Sequence, residues 1–314
     1  MNKICCHVWD YNILIYTNEL QIIYDLYKIR DVGGIPIQFL DKFSCQGDIS
    51  LYIFNSSEKT RFIQEGTAYY FYLNLRNGIR HDCLRNLIGQ FVSVVAMING
   101  EYPLHSSALS IETKGILLLG DSGAGKTILS IYLCNRENGY WLSNDWSAIA
   151  LKSTKGIDRY VEITKGYDMI SVRKQSLEHI TPYISYREAG ILLNSCLEEK
   201  VLFDLQTLGV KKGNLPKRIS YIYIIGINND FPYCVNQLSH NEAYSILKKE
   251  MTWVVSGVNS TLYDKNNCVL LDKVIVDVIP SDLDEIIAEI YQNVKVIRIA
   301  GDVKSVGQYI RRQI

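Results

Sequence analysis

Residues 120–127 read Gly120-Asp121-Ser122-Gly123-Ala124-Gly125-Lys126-Thr127, a full match to the pattern G-x-x-x-x-G-K-[ST]. Phosphate oxygens need several converging N–H donors. Glycines let a backbone curl around them without a Cβ penalty, and a helix that follows presents its positive end. Lys126 then reaches the β- and γ-phosphates, and the Thr127 hydroxyl ligates Mg²⁺. ATP and Mg²⁺ are the expected cofactors. Such a loop holds a nucleotide but does not set the fate of its γ-phosphate, so neighbouring side chains decide the reaction. Three stand out by position: His105 in PLHSSALSI, Asp145 in WLSNDWSAIAL and Glu162 in RYVEIT. Asp145 follows a short apolar strand after the loop helix, where a metal-binding or proton-accepting carboxylate is expected.

These residues need a scaffold. The apolar run GILLL before the loop reads as a strand, and TILSIYLCNREN after it as a helix that stops at Asn138-Gly139. ALSI, YWLSND and RYVEIT read as further strands, with His105 on the strand before the loop strand, so that the two form a hairpin. From residue 101 the texture is that of an α/β domain. YIYIIGI and VKVIRIAGD are later strands, PSDLDEIIAEIYQNV is a helix with an Asp282-to-Glu285 capping spacing, and VKSVGQYIRR is a terminal helix. Earlier, ICCHVW, YNILIYT, ISLYIF and AYYFYLNL read as strands, ELQIIYDLYKIR as a helix, and residues 81–98 as a long helix ending near Asn99-Gly100. The expected organisation is a smaller, β-rich α+β domain over residues 1–80, followed by a P-loop domain over 81–314.

In order and spacing, the pieces around the loop resemble HPr kinase/phosphorylase proteins, which are related in fold to phosphoenolpyruvate carboxykinases. That family carries a His-containing strand, a GDSG-G-K-[ST] loop about fifteen residues later, an Asp-Asp pair ending the next strand, and an EIRG-type strand. In this chain His105 lies fifteen residues before Gly120, the paired-acid position reads Asn144-Asp145, and the last element reads VEITKG with Glu162. The resemblance covers about residues 101–175 and implies an HPr-kinase-like catalytic domain. It also implies roles: Lys126 and the loop backbone hold the ATP phosphates, Thr127 and Asp145 share Mg²⁺, Glu162 assists the metal, and His105 lies near the transferred phosphate. Because Asn144 replaces the first acid of the pair, either Asp145 serves as both ligand and base or His105 supplies the base. The layout as a whole looks more like the HPr-kinase-like tailoring kinases of ribosomally made peptides, including lasso-peptide precursors, which phosphorylate a Ser hydroxyl.

Composition narrows the field further. With 33 Lys plus Arg against 33 Asp plus Glu, the chain is formally neutral, which argues against a dedicated nucleic-acid binder. Its eight cysteines include no CxxC pair and no zinc-like spacing, so they read as reduced, buried thiols. No apolar run has the length of a membrane span, and the N-terminus lacks a signal-peptide core, so a cytoplasmic protein with no membrane partner is expected. The expected activity is ATP- and Mg²⁺-dependent transfer of the γ-phosphoryl group to an alcohol, foremost a Ser of a peptide or small-protein partner. A sugar, nucleoside or free amino acid as acceptor, and a nucleotide-dependent switch without transfer, are the alternatives. The sequence leaves open the acceptor, the oligomeric state and whether phosphorolysis also occurs.

Overall fold

The computed structural model describes residues 1–32, 35–40, 46–57, 60–154, 158–184, 200–252, 261–272, 274 and 282–314. The chain divides into two compact units, one of residues 1–100 with 251–280 and one of residues 101–250 with 281–314.

In the first unit β1 (Asn2–Val8) and β2 (Tyr11–Thr17) form a hairpin, followed by α1 (Leu20–Tyr27) and the short strands β3 (Asp31–Val32), β4 (Ile35–Pro36) and β5 (Gln38–Leu40). Then come β6 (Ile49–Asn55), β7 (Arg61–Glu65), β8 (Ala68–Leu73) and the long helix α2 (His81–Ile98). The main sheet has the order β5-β1-β2-β6-β8-β7. Period-two alternation assigns its faces. Ile49, Leu51 and Ile53 of β6 and Tyr69, Phe71 and Leu73 of β8 are buried, and Phe91 of α2 packs on Tyr69 and Phe71 at ring distances of 4.6 and 5.9 Å. The opposite face carries a ladder of half-buried rings, with Tyr16 stacked on Tyr52 at 4.8 Å and Tyr52 on Tyr70 at 4.7 Å. The tyrosine-rich runs are therefore strand positions, half of them core.

The domain boundary expected near residue 80 falls instead at Gly100. The physical reason is that α2 buries its apolar face within the first unit, on β2 and β3. Residues 251–280 also rejoin the first unit, through hydrogen bonds from Asn77 to Asp264 (2.8 Å), from Gln90 to the Val274 carbonyl (2.9 Å) and from Lys265 to Asp25 (2.8 Å).

The second unit begins with β9 (Glu101–Leu104), β10 (Ser107–Ile111), β11 (Lys114–Leu119), α3 (Lys126–Arg136), β12 (Gly139–Ser143), β13 (Ser147–Thr154), β14 (Asp158–Lys165), β15 (Met169–Arg173) and the one-turn α4 (Leu177–Ile180). β16 (Lys200–Asp204), β17 (Lys217–Ile227), β18 (Cys234–Gln237) and α5 (His240–Thr252) follow. After the first unit's small hairpin of β19 (Leu262–Tyr263) and β20 (Val269–Leu271), the chain returns with α6 (Leu283–Asn293), β21 (Lys295–Gly301) and α7 (Val303–Gln313).

Its large sheet runs β12-β10-β11-β17-β14-β13-β9, with β21 on the other flank of β17's C-terminal half and β18 on β21. At the centre β11, β17 and β21 are parallel, in registers such as Leu117 opposite Ile222 and Tyr223 opposite Ile297. GILLL and ISYIYIIGI are near-continuous apolar runs because parallel strands are covered on both faces. The core joins Leu118, Leu129, Trp141, Tyr223, Ile299 and Ile310. The mixed α/β class is thus as the sequence implies. Two local differences arise. His105 sits in the bend between β9 and β10, not within a strand. Asp282 makes no cap bond to α6, because its carboxylate is taken by the Tyr102 hydroxyl.

Cys5, Cys6, Cys83 and Cys134 are buried, and burial pushes the Cys6 and Cys134 thiols far above their ordinary range. Cys45 and Cys196 lie outside the described residues. Among the described residues no helix is long and apolar enough to cross a membrane.

Candidate functional site

The loop leaves the C-terminal end of β11 and enters α3, at the end of the sheet where ligands of open parallel sheets collect. Its shape depends on two glycines. Gly120 has φ 149°, and a Cβ there would stand 2.8 Å from the Ile225 carbonyl oxygen. Gly125 has φ 88°, and a Cβ there would stand 2.5 Å from the Cβ of Ile227. Both contacts come from the end of β17, which also donates the Ile227 N–H to the Ala124 carbonyl at 2.9 Å. The backbone therefore curls because the central strand presses on it.

Lys126 is buried and donates to the carbonyl oxygens of Gly120 (2.7 Å) and Asp121 (3.2 Å), so its ammonium lies over the loop. The Thr127 hydroxyl donates to the Asn144 side-chain oxygen at 3.0 Å. A hydroxyl that gives its proton away keeps its lone pairs for a cation. Asn144 is buried between β12 and β13; the same oxygen accepts from the Ser107 hydroxyl at 3.0 Å, and its amide donates to the Ser171 carbonyl at 3.3 Å. Asp145 follows at φ 63°, in the middle of a three-residue turn closed by the Trp146 N–H on the Asn144 carbonyl at 2.8 Å. A non-glycine residue in that region is strained, which is common where a side chain has to be aimed.

His105, Lys126, Thr127 and Asp145 line one open cleft. Glu162 is not among the residues lining it. Its register on β14 sets it opposite Ala150 of β13 and Arg218 of β17. There burial raises its carboxyl above the usual range, Lys152 opposes that and Glu101 adds to it. Glu162 is thus part of a charged patch on the sheet. The three-oxygen set expected for a metal reduces, at the cleft itself, to the Thr127 hydroxyl and the Asp145 carboxylate. These are hard oxygen donors of the kind Mg²⁺ takes alongside water and phosphate oxygens.

Two further charged residues, one lining the cleft and one beside the loop, carry no local motif. Arg173, at the end of β15, donates to the Ser122 hydroxyl at 2.6 Å and brings a second permanent cation to the loop. Glu250, in the last turn of α5, is raised by burial against the pull of Lys126 and Lys249, while Lys249 reaches within 4.0 Å of the Asp121 carboxylate. Neither lies near the loop in sequence, so only the tertiary fold brings them there.

No protein-family model matches the chain. No curated protein matches it either. Among solved structures it is similar to the Hpr(Ser) kinase/phosphatase from Coxiella burnetii, with 11% sequence identity, 67% of this chain and 89% of that one covered, and a TM-score of 0.32.

Proposed function

We propose that this protein is an ATP- and Mg²⁺-dependent kinase that transfers the γ-phosphoryl group to an alcohol, foremost the Ser hydroxyl of a peptide or small protein. The observation that carries the reading is the convergence of a phosphate-binding loop, through Lys126 and Thr127, with Asp145 and His105 on one open cleft. All four of these side chains belong to the unit of residues 101–250 with 281–314.

The loop N–H groups and Lys126 hold the triphosphate and offset the charge that builds on its β–γ bridge. Asn144 orients the Thr127 hydroxyl so that its lone pairs face the cation site, and Asp145 supplies the second oxygen. Mg²⁺, when bound there, adds charge neutralisation. The acceptor hydroxyl enters beside Asp145 and His105. One of them takes its proton as the new P–O bond forms and the bond to the β-phosphate oxygen breaks, leaving ADP. Asn144 has no basic atom and all its polar groups are engaged, so the base is Asp145 or His105.

The test uses purified protein, Mg²⁺, γ-labelled ATP and two acceptor panels, one of Ser-containing peptides and one of sugars, nucleosides and free serine. Label should pass to a peptide, in the wild type but not in Lys126→Ala. Undiminished transfer in Lys126→Ala would sink the loop assignment; label on the second panel alone would move the acceptor to a small molecule. Nucleotide binding with acceptor-independent hydrolysis would make the protein a switch. Asp145→Asn should slow transfer about 10²- to 10⁴-fold. A larger loss in His105→Ala would assign the base to the histidine.

A further inference from the structure

The loop opens onto a second cleft that the phosphotransfer reading leaves without a role. It shares Gly123, Gly125, Ile128, Arg173 and Ser176 with the first cleft, then diverges. The first runs to His105 and Asp145. The second runs to Pro182 and Tyr183 on one side, and to Ile227, Asn228, Asn229 and Val303 on the other.

The direction of a bound triphosphate follows from the loop itself. The lysine reaches β- and γ-phosphates, whereas the backbone N–H groups at the start of the helix cradle the α- and β-phosphates. With the γ end at Lys126 and Asp145, the α end falls beside Ile128, and whatever is esterified to it leaves toward the second cleft.

That cleft has the chemistry of a base site. Tyr183 is half-buried, and its ring sits edge-to-face with Tyr132 of α3 at 5.2 Å and 88°. The segment carrying it is pinned to the far end of α3: the Asn135 amide donates to the Tyr183 carbonyl at 2.9 Å and Arg136 to the Pro182 carbonyl at 2.8 Å. An aromatic side chain fixed in this way is a preorganised stacking partner. Ile227, at the end of β17, and Val303, at the start of α7, supply apolar surface. The side chains of Asn228 and Asn229 follow Ile227; the Asn228 oxygen accepts from the Asp230 N–H at 3.0 Å, which leaves its NH2 group to donate, while the Asn229 amide can both donate and accept, as the edge of a purine requires. The Asn228 backbone is fixed by its N–H on the Gly301 carbonyl at 3.1 Å.

We propose that this second cleft is the nucleoside subsite, in which a purine base stacks on Tyr183 and is read by Asn228 and Asn229. The proposal rests on the nucleotide-loop reading above, and the experiment separates the two. Binding of ATP, GTP and inorganic tripolyphosphate, each with Mg²⁺, is measured calorimetrically on the full chain. In the wild type, ATP or GTP should bind at least about tenfold more tightly than tripolyphosphate, the preferred one naming the base. In Tyr183→Ala that preference should fall roughly tenfold or more while tripolyphosphate binding is unchanged, and Tyr183→Phe should restore it. Asn229→Ala, at an exposed position, should lower the preference severalfold and keeps the test decisive if Tyr183→Ala fails to fold. Equal binding of all three ligands by the wild type, or a preference that survives both alanine variants, overturns the subsite and leaves the loop standing. Nucleotide binding that depends on Tyr183 without any tripolyphosphate binding supports the subsite and removes the loop.

Discussion

Asn144 makes three hydrogen bonds that a carboxylate could not all reproduce. Its oxygen takes the hydroxyls of Thr127 and Ser107, work an aspartate could share, but its amide donates to the Ser171 carbonyl. An aspartate there would face that carbonyl with a second acceptor in a buried setting, at a cost of about 1–3 kcal/mol or more. Asn144→Asp should therefore lower the melting temperature by several degrees, and Asn144→Ala should also lower the affinity for Mg²⁺-nucleotide by releasing Thr127; an Asp variant as stable as the parent would refute this role. Asn144 thus serves the scaffold of the turn, and the carboxylate beside it is that of Asp145. At this scale the sequence was most informative where chemistry is carried by consecutive backbone groups. Residues 120–127 announce themselves because the curl requires glycines at fixed offsets. Arg173 and Glu250 are single charged residues in unremarkable segments, and nothing local distinguishes them from solvated ones.

The elements around the loop were legible in proportion to their apolar periodicity. α2, β11, α3, β17, β21 and α7 follow runs long enough to assign. Register was not legible. Glu162 belongs to a strand that the sequence indicates, but its antiparallel pairing with β13 sets it opposite Ala150 and away from the cleft, and no residue pattern within RYVEIT encodes that offset. α5 shows the converse: an ordinary amphipathic helix whose last turn meets the loop. A carboxyl raised by burial binds its proton more tightly folded than unfolded. Glu250 therefore costs nothing below the ordinary carboxylate range, and its cost grows as pH rises from the unfolded pKa through the higher folded one. Glu250→Gln should thus gain stability relative to the parent between about pH 4 and neutrality, with the difference vanishing in more acid solution. Thermal unfolding of the two proteins across that range, without nucleotide, checks it; a difference independent of pH would show that the carboxyl stays ionised at no cost.

At the scale of the whole molecule, neutrality is compatible with phosphate binding because one loop, Lys126 and Arg173 supply the cations locally. The two units were only partly legible. Residues 81–98 precede the P-loop strands directly, and adjacency in sequence suggested adjacency in space; the helix instead completes the first unit, and residues 251–280 return to it across an insertion of 150 residues, from Glu101 to Glu250. Such returns leave no compositional mark. The clamp of β17 on the loop has a further consequence, for biosynthesis. Ile227 follows Gly125 by 102 residues, so a nascent chain that has made the whole nucleotide loop still lacks the strand that shapes it. At about 5–20 residues per second the wait is roughly 5 to 20 seconds, and longer for β21. A ligand held by this loop can therefore stabilise only a chain in which β17 has already been made and docked.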